Sequence, residues 1–510
     1  MFTLGERKIF IALFKLLIFA FWIVFQFIVL SVIYNIFDIF FIYYFILFEA
    51  ISAIAVVHLN YKDENTSYKI SWVVLILLIP VIGVILYILS RIGIIRNFSR
   101  VTKISLNKEL LPRENTNMLK SLRGKNITRY NEIKLIKNIS GYTCYENTDI
   151  NYFSCGELMY ENLIQELKKA KKFIFLEFFI ISKSSMLDEI LEILKQKSHD
   201  GVEIRILVDY IGSFFVLPGD FKKILRENNI QFKMFNPVKL LLNIMLNYRD
   251  HRKIAIIDGR IAFTGGINIG DEYINRYKKY GYWKDMAISL EGNAVYSFTV
   301  MFLKMWESIT KKNENFKNYK FTHTIQNSPG LIVPYASEPE KLDSTAEDIY
   351  LNIINSSKNY IYITTPYLVI SYEMMLCLSL ASKRGVDVRI ITPFIPDKKI
   401  VQILTRSHYD KLLDAGVKIY EYTPGFIHGK VMLSDDECAV VGTINMDYRS
   451  LYLHFECAAY MYNVPIIKDI HKDFIETISV SQRIEKHIWE KRNFSKKIME
   501  SILKLFAPLT

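Results

Sequence analysis

Two histidines, two lysines and two asparagines stand in one pattern at two places in the chain. His251, Lys253, Asp258, Gly265 and Asn268 form the first set, and His428, Lys430, Asp435, Gly442 and Asn445 the second. Both spell H-x-K-x4-D-x6-G-x-x-N, at an offset of 177 residues. A repeated match with every interval kept outweighs the false-positive risk of a single short motif. These residue types suit a phosphodiester, whose charged oxygens repel nucleophiles. A site must neutralise that charge and hold phosphorus in line. Lys253 and Lys430 supply point charges for the phosphate oxygens, and Asn268 and Asn445 supply hydrogen bonds to them. A neutral imidazole can attack phosphorus at pH 7 and form a phosphohistidine. A second, protonated imidazole then gives its proton to the departing alcohol and later removes one from the incoming alcohol. That sequence needs neither metal nor other cofactor. H-x-K is poor metal-ligand spacing, the sequence shows no Asp/Glu/His cluster beside it, and no G-x-x-x-x-G-K loop is present.

Each imidazole also needs a carboxylate to fix its tautomer. Glu456 follows His428 inside the apolar, strand-like Leu453-His-Phe-Glu-Cys457, and Asp285 follows His251 in Trp283-Lys-Asp285. Both are candidate histidine-orienting residues. Asp258 and Asp435, counted with the catalytic histidines and lysines, each follow an apolar strand and precede a turn. A structural anchor is at least as good a reading for them as catalysis.

The elements that must position these groups repeat as well. Lys172-Phe-Ile-Phe-Leu-Glu-Phe-Phe179 is matched by Asn359-Tyr-Ile-Tyr-Ile-Thr-Thr-Pro366, and Gly201-Val-Glu-Ile-Arg-Ile-Leu207 by Gly385-Val-Asp-Val-Arg-Ile-Ile391. Helical patterns, such as Glu157 to Lys169 and Leu187 to Lys195, precede or separate these strands. Strand, helix, strand in each part predicts right-handed crossovers and largely parallel sheets, in two similar α/β halves packed face to face. The first half carries about ten extra residues just before His251, Val238 to Asn247. They read as core packing or as an apolar lip that guides acyl chains, with Leu241 and Met245 the residues to test.

Hydrophobic residues make up 51% of the 510, and the formal net charge is +12. That charge points to an anionic partner, nucleic acid or an anionic membrane surface. Five cysteines without a C-x-x-C pair indicate neither a disulfide framework nor a zinc ribbon, and fit a reducing compartment. The apolar excess lies at the N-terminus, in Ile9 to Ile33, Phe37 to Val57 and Ile70 to Leu89, each near the length of a membrane span. No small-residue cleavage site follows the first, which is also too long for a signal peptide's apolar region. Arg91, Arg96, Arg100 and Lys103 follow the third stretch, and Arg7 and Lys8 precede the first, so both flanks favour the cytoplasmic side. The expected organisation is a membrane anchor of two to three spans (1–92), a basic linker (93–139), two α/β halves (140–328 and 329–483) and a basic amphipathic C-terminal helix (484–510).

The doubled motif resembles the phospholipase D superfamily. Its surroundings are similar to bacterial cardiolipin synthases: Phe263-Thr-Gly-Gly-Ile-Asn268, Gly281-Tyr-Trp-Lys-Asp285, Thr364-Thr-Pro-Tyr367, Tyr420 to His428, Gly442-Thr-Ile-Asn-Met-Asp-Tyr-Arg-Ser450 and Leu505-Phe-Ala-Pro-Leu509. The resemblance runs from about residue 70 to the end. It implies N-terminal transmembrane helices and two pseudo-twofold-related phospholipase D-like α/β halves. It also implies a multi-pass cell-membrane enzyme, with its catalytic region in the cytoplasm, that joins two phosphatidylglycerols into cardiolipin and releases glycerol. His251 is then the nucleophile and His428 the general acid/base, and near-symmetry leaves the reverse open. Two departures stand out. The family commonly has Asn where this chain has His454, and two spans where this chain has three apolar runs. Rival readings are a membrane-bound phospholipase D that hydrolyses lipids to phosphatidic acid, a nuclease and a silent lipid-binding scaffold. The nuclease leaves the apolar spans unexplained, so no nucleic-acid partner is expected, and intact motif residues in both halves argue against the scaffold. The oligomeric state is not legible.

Overall fold

The structure, a computed structural model, describes residues 24, 28, 31, 32, 41–62, 65–88, 110–112, 115–237, 248–321, 325, 328–339 and 344–509. The chain divides into two compact units, one of residues 1–100 with 505–510 and one of residues 101–504. Nearly all of the first apolar stretch, the linker up to residue 109, and the insertion from Val238 to Asn247 with Leu241 and Met245 lie outside the described residues.

In the smaller unit, helix Phe41–Tyr61 covers most of the second apolar stretch. The third stretch is divided. Helix Thr66–Leu78 opens on the Asn65 side chain, which accepts from the Ser67 and Tyr68 amides, and ends at Ile79 with φ −137°. Ile79 precedes Pro80, whose ring disfavours the α conformation in the residue before it. Residues 80–88 then form a separate helical run. Among the described residues no helix is long and apolar enough to cross a membrane. Trp72 is buried in this unit with its ring edge-on to Tyr87.

The larger unit contains the repeat. In its first half, β1 (Thr148–Phe153), β2 (Phe173–Phe178), β3 (Glu203–Asp209), β4 (Gln231–Phe235), β5 (Lys253–Ile257), β6 (Ile261–Gly265) and β7 (Ala287–Gly292) make one sheet in the order β1-β7-β6-β5-β2-β3-β4. The second half has β8 (Leu331–Ser337), β9 (Tyr360–Thr364), β10 (Asp387–Pro393), β11 (Lys418–Tyr422), β12 (Val431–Ser434), β13 (Cys438–Gly442) and β14 (His454–Tyr462). They run in the same order, β8-β14-β13-β12-β9-β10-β11, with β15 (Ser481–Arg483) added at the edge. The two α/β halves of the sequence reading are therefore present, with one correction. The sheets are mixed, because only β2-β3-β4 and β9-β10-β11 pair in parallel, and the other pairings along the repeated order are antiparallel.

The antiparallel part comes from a tight hairpin. Asp258 and Gly259 follow β5 with φ +56° and +64°, and Asp435 and Asp436 follow β12 with φ +57° and +54°. Two successive residues at positive φ are the type I′ pattern that matches strand twist and returns the chain beside itself. The strands are buried on both faces: Phe173, Phe175, Ile254 and Ile256 enter one core cluster, and Ile174, Leu176, Ala255 and Ile257 the other. Helices Gly156–Lys169 and Ser185–His199 cover the second cluster, whereas the almost wholly buried helix Val295–Thr310 joins the first together with the second half's strands.

The segment read as a basic linker carries secondary structure. Its described end folds as helices Thr116–Lys125 and Ile127–Ser140. Arg129, 1% exposed, binds Glu132 at 2.7 Å and Glu437 at 2.8 Å and lies 3.4 Å from Asp435, so this segment braces the second hairpin. The expected C-terminal helix is likewise two pieces, Lys486–Trp489 and Phe494–Phe506.

Candidate active site

The site forms where each half lends a short strand to the other. Arg249–Asp250 runs parallel to the start of β14, pairing with His454 and Phe455, and the His251 amide donates to the Phe455 carbonyl at 2.9 Å. In the second half, Gly425–Ile427 runs parallel to Tyr282–Lys284, and the His428 amide donates to the Lys284 carbonyl at 2.7 Å. Each histidine therefore lies beside the carboxylate-bearing segment of the opposite half.

The orienting pairs are crossed. His251 Nδ1 lies 2.8 Å from Glu456 Oε1, and His428 Nδ1 lies 2.7 Å from Asp285 Oδ2. Spacing places Asp285 after His251 and Glu456 after His428, and the fold exchanges the partners. Both carboxylates are fully buried and fixed by further donors. The Thr443 hydroxyl donates to Glu456 Oε2. The Trp283 ring N–H and the Met286 amide donate to Asp285 at 3.3 and 3.0 Å. With Nδ1 engaged, Nε2 of each ring is the atom left for chemistry.

Lys253 and Lys430 come to the same place, each donating to the carbonyl oxygen of its own motif histidine. The asparagines are not equivalent. Asn268 accepts from the Ile180 amide at 3.0 Å and donates to the Tyr273 hydroxyl at 2.9 Å. Asn445 Oδ1 is buried without a hydrogen-bond partner among the described residues.

Asp258 and Asp435 do not join the site. Asp258 accepts from the Lys171, Lys172 and Phe173 amides at 2.7 to 2.9 Å, and Asp435 from those of Lys358, Asn359 and Tyr360 at 2.8 to 2.9 Å. Each sits at the far end of the strand that begins beside the motif lysine, roughly 16 Å away for Asp258 at the usual rise per residue. These contacts are those of the structural anchor that the sequence reading set beside catalysis. The motif glycines have a packing reason: a Cβ on Gly265 or Gly442 would meet the facing strand's backbone at 2.4 Å.

Residues 163–306 and 350–478 match the family model described as cardiolipin synthase, PLD-like domain. The chain belongs to the cardiolipin synthase family of phospholipase D-like proteins. Residues 50–91 match a phospholipase D-nuclease N-terminal model. A Clostridium perfringens cardiolipin synthase is 34% identical over 457 residues, 88% of this chain and 95% of that protein. A Bacillus anthracis cardiolipin synthase 2 is 33% identical over 457 residues, 88% of each chain. A Streptococcus mutans protein described as uncharacterized is 42% identical over 459 residues, 89% of this chain and 99% of that one. Among solved structures, phosphatidylserine synthase from Haemophilus influenzae shares the fold, with a TM-score of 0.56 and 14% identity over 74% of this chain and 98% of that one.

Within this cardiolipin synthase family site, electrostatics separate the two histidines. Burial, then Lys253 and the neighbouring histidine His454, holds the His251 pKa well below its ordinary value. Burial and Lys430 lower His428 to about 4, against the pull of Asp285. Burial opposes charge on Asp285 too, yet His428 and Lys430 hold its pKa below the ordinary value. Burial instead pushes Glu456 up to about 8, with Lys253 working against it. Burial also brings Lys253 down to about 8 and Lys430 to about 7.

Several site residues escape a motif reading. Phe179 packs edge-on to His251, and Trp283, Phe426 and Tyr273 surround His428. His454, noted in the sequence as a departure, lies with its ring centre 5.3 Å from that of His251. His251, His454 and Glu456 bring three ligand-type atoms within 4.8 Å of one another. The chain does have an Asp/Glu/His cluster, therefore, assembled from residues that are distant in sequence.

Proposed function

We propose that this member of the family is a phosphatidyltransferase that converts two phosphatidylglycerols into cardiolipin and glycerol. The observation that carries the reading is the crossed pair of histidine–carboxylate hydrogen bonds, which aims two imidazoles and two lysines at one place. His251 Nε2 attacks phosphorus of the first lipid, and the bond from phosphorus to the glycerol oxygen breaks as His428 gives that oxygen a proton. The phosphatidyl group then rests on His251. The terminal glycerol hydroxyl of a second phosphatidylglycerol loses its proton to His428 and attacks phosphorus, breaking the P–N bond and restoring both residues. Lys253 and Lys430, with Asn268 and Asn445, hold the phosphate oxygens. His428 takes the acid/base role because the ionised Asp285 carboxylate pulls its proton affinity up against burial and Lys430, whereas burial, Lys253 and His454 hold His251 neutral. One diester is exchanged for another, so the transfer needs no nucleotide.

The enzyme works at the cell membrane, anchored by N-terminal spans, with its catalytic unit in the cytoplasm. Ile54, Val57 and Leu78 are 68%, 69% and 68% exposed on the N-terminal helices, an arrangement suited to lipid contact. The helix Phe494–Phe506 leaves Phe494, Ile498, Ile502 and Leu505 exposed among lysines, which suits an anionic lipid surface. Five free cysteines suit the cytoplasm.

Purified protein in phosphatidylglycerol vesicles, without metal or nucleotide, should yield cardiolipin and free glycerol by mass spectrometry, and His251→Ala should yield neither. Phosphatidic acid in place of cardiolipin would make the protein a hydrolase instead.

A further inference from the structure

His454 is 8% exposed, and neither of its ring nitrogens has a hydrogen-bond partner among the described residues. Buried polar groups are normally satisfied, so an imidazole idle at both nitrogens points to something that occupies it. Its Nδ1 lies 3.6 Å from Glu456 Oε1, too far for a strong hydrogen bond. That oxygen is 2.8 Å from His251 Nδ1. Donor atoms on a tetrahedral zinc at about 2.0 Å stand roughly 3.3 Å apart, and the two contacts bracket that spacing. The other half lacks the arrangement. By strand register Trp283 occupies the position of His454, and its ring N–H is spent on Asp285.

We infer that His251, His454 and Glu456 form an inhibitory site for a divalent transition-metal ion of the zinc class. The donor set, two imidazoles and a carboxylate, is one that zinc accepts, with a fourth position left open. A cation there takes the Nδ1 lone pair, so the single proton of His251 passes from Nδ1 to Nε2, while any proton on Glu456 leaves to solvent as the carboxylate binds. With the metal on Nδ1, neutral His251 carries its one proton on Nε2, so the lone pair that attacks phosphorus is gone. The inhibition rests on the proposed nucleophilic role of His251, and the binding does not. The lysines nearby oppose a dication, so micromolar affinity is expected in place of the tighter binding of structural zinc.

The test is calorimetric titration of the full chain, chelator-washed in detergent, with zinc chloride, beside His454→Asn and His454→Gln. The wild type should bind one equivalent that both variants lose. Cobalt substitution should give a visible d–d spectrum in the wild type alone. On phosphatidylglycerol vesicles, saturating zinc should lower the wild-type rate at least about tenfold, reversibly by chelator, and leave a folded His454 variant at its metal-free rate. No zinc binding by the wild type, equal binding by both variants, or a rate raised by zinc would each overturn the inference. If metal-free wild type makes no cardiolipin, the transfer reading fails, and the titration decides the metal site by itself.

Discussion

The two half-sites share a backbone and differ in what surrounds the imidazole. His428 faces a carboxylate that His428 and Lys430 keep ionised against burial, and Trp283, Phe426 and Tyr273 enclose it. His251 faces a carboxyl that burial drives toward the neutral form, with Phe179 on one side and a second imidazole on the other. A duplicated motif thus supplies two copies of one constellation, and the unduplicated residues set the charge each copy prefers. The ionised Asp285 pulls His428 toward the imidazolium that an acid requires, against burial and Lys430, which lower its pKa to about 4. Burial, Lys253 and His454 keep His251 neutral, as a nucleophile requires.

The largest effect that can break this comparison comes from the histidines themselves. His251→Ala and His428→Ala should each lower phosphatidyl transfer by about 10³-fold or more, since both groups act in the reacting bonds. The leaving group separates them. A diester with a nitrophenol leaving group departs without a proton, so His428→Ala should retain a stoichiometric burst of nitrophenol and a trapped phosphohistidine, visible by intact-protein mass. His251→Ala should show neither. The reverse pattern would exchange the two roles.

The orienting carboxylates sharpen the same contrast. Asp285→Asn removes a charge and reverses the hydrogen-bond preference at His428 Nδ1, so a loss in kcat of about 10³-fold is expected. Glu456→Gln changes a group that burial already drives toward neutrality, and the loss should be nearer 10- to 100-fold. Equal losses, measured as kcat on phosphatidylglycerol, would erase the electrostatic distinction.

That crossing of partners marks the limit of what the sequence could say. The strands, the repeat and the histidine–lysine pairs were legible because they are local: apolar runs of strand length and fixed intervals survive in one dimension. The Asp258 turn was legible in part, as a strand followed by a turn. The choice of carboxylate was not, because His251 and Glu456 are 205 residues apart and His428 and Asp285 143. Pairing over such distances depends on how the halves dock, which spacing does not encode. The same reason hid the cluster of His251, His454 and Glu456. The helix Ile127–Ser140 read as a linker because its exposed face is basic, while its buried contacts are an arginine and a glutamate that look like surface residues until Glu437 and Tyr460 complete them. Strand direction was misjudged because the repeated strand-helix-strand pattern reports β2 to β4 and says nothing about the hairpin that follows.

The lysines should respond to pH unequally. Lys430 is positive below about 7 and neutral above it, and Lys253 changes near 8. Phosphate affinity is therefore full at pH 6 and weakens as pH rises through both values, so KM for phosphatidylglycerol should climb about tenfold between pH 6 and 9. The climb should begin near pH 7, from the His428 half, and continue through pH 8 as Lys253 loses its charge. A flat KM over that range would mean both lysines stay charged and the half-sites bind phosphate alike.

The smallest effect on catalysis, and the clearest on stability, belongs to the motif aspartates. Asp258 and Asp435 each gather three amides at the start of β2 or β9, a charge-assisted set worth about 1.5–3 kcal/mol. Asn keeps the side-chain shape and tolerance of positive φ but offers one acceptor oxygen, so Asp258→Asn should lower the thermal midpoint while kcat stays within about threefold of wild type. Asp435 has an additional neighbour in the buried Arg129, 3.4 Å away. Removing its charge weakens the balance around a guanidinium that is 1% exposed, so Asp435→Asn should destabilise more than Asp258→Asn, a difference calorimetry can resolve. Reversal of that order would mean that Glu132 and Glu437 suffice for Arg129 and that the two hairpins are equivalent. A collapse of kcat with an unchanged midpoint would return both aspartates to the chemistry. Twin residues in a duplicated motif would then act at a distance that the strands make hard to bridge.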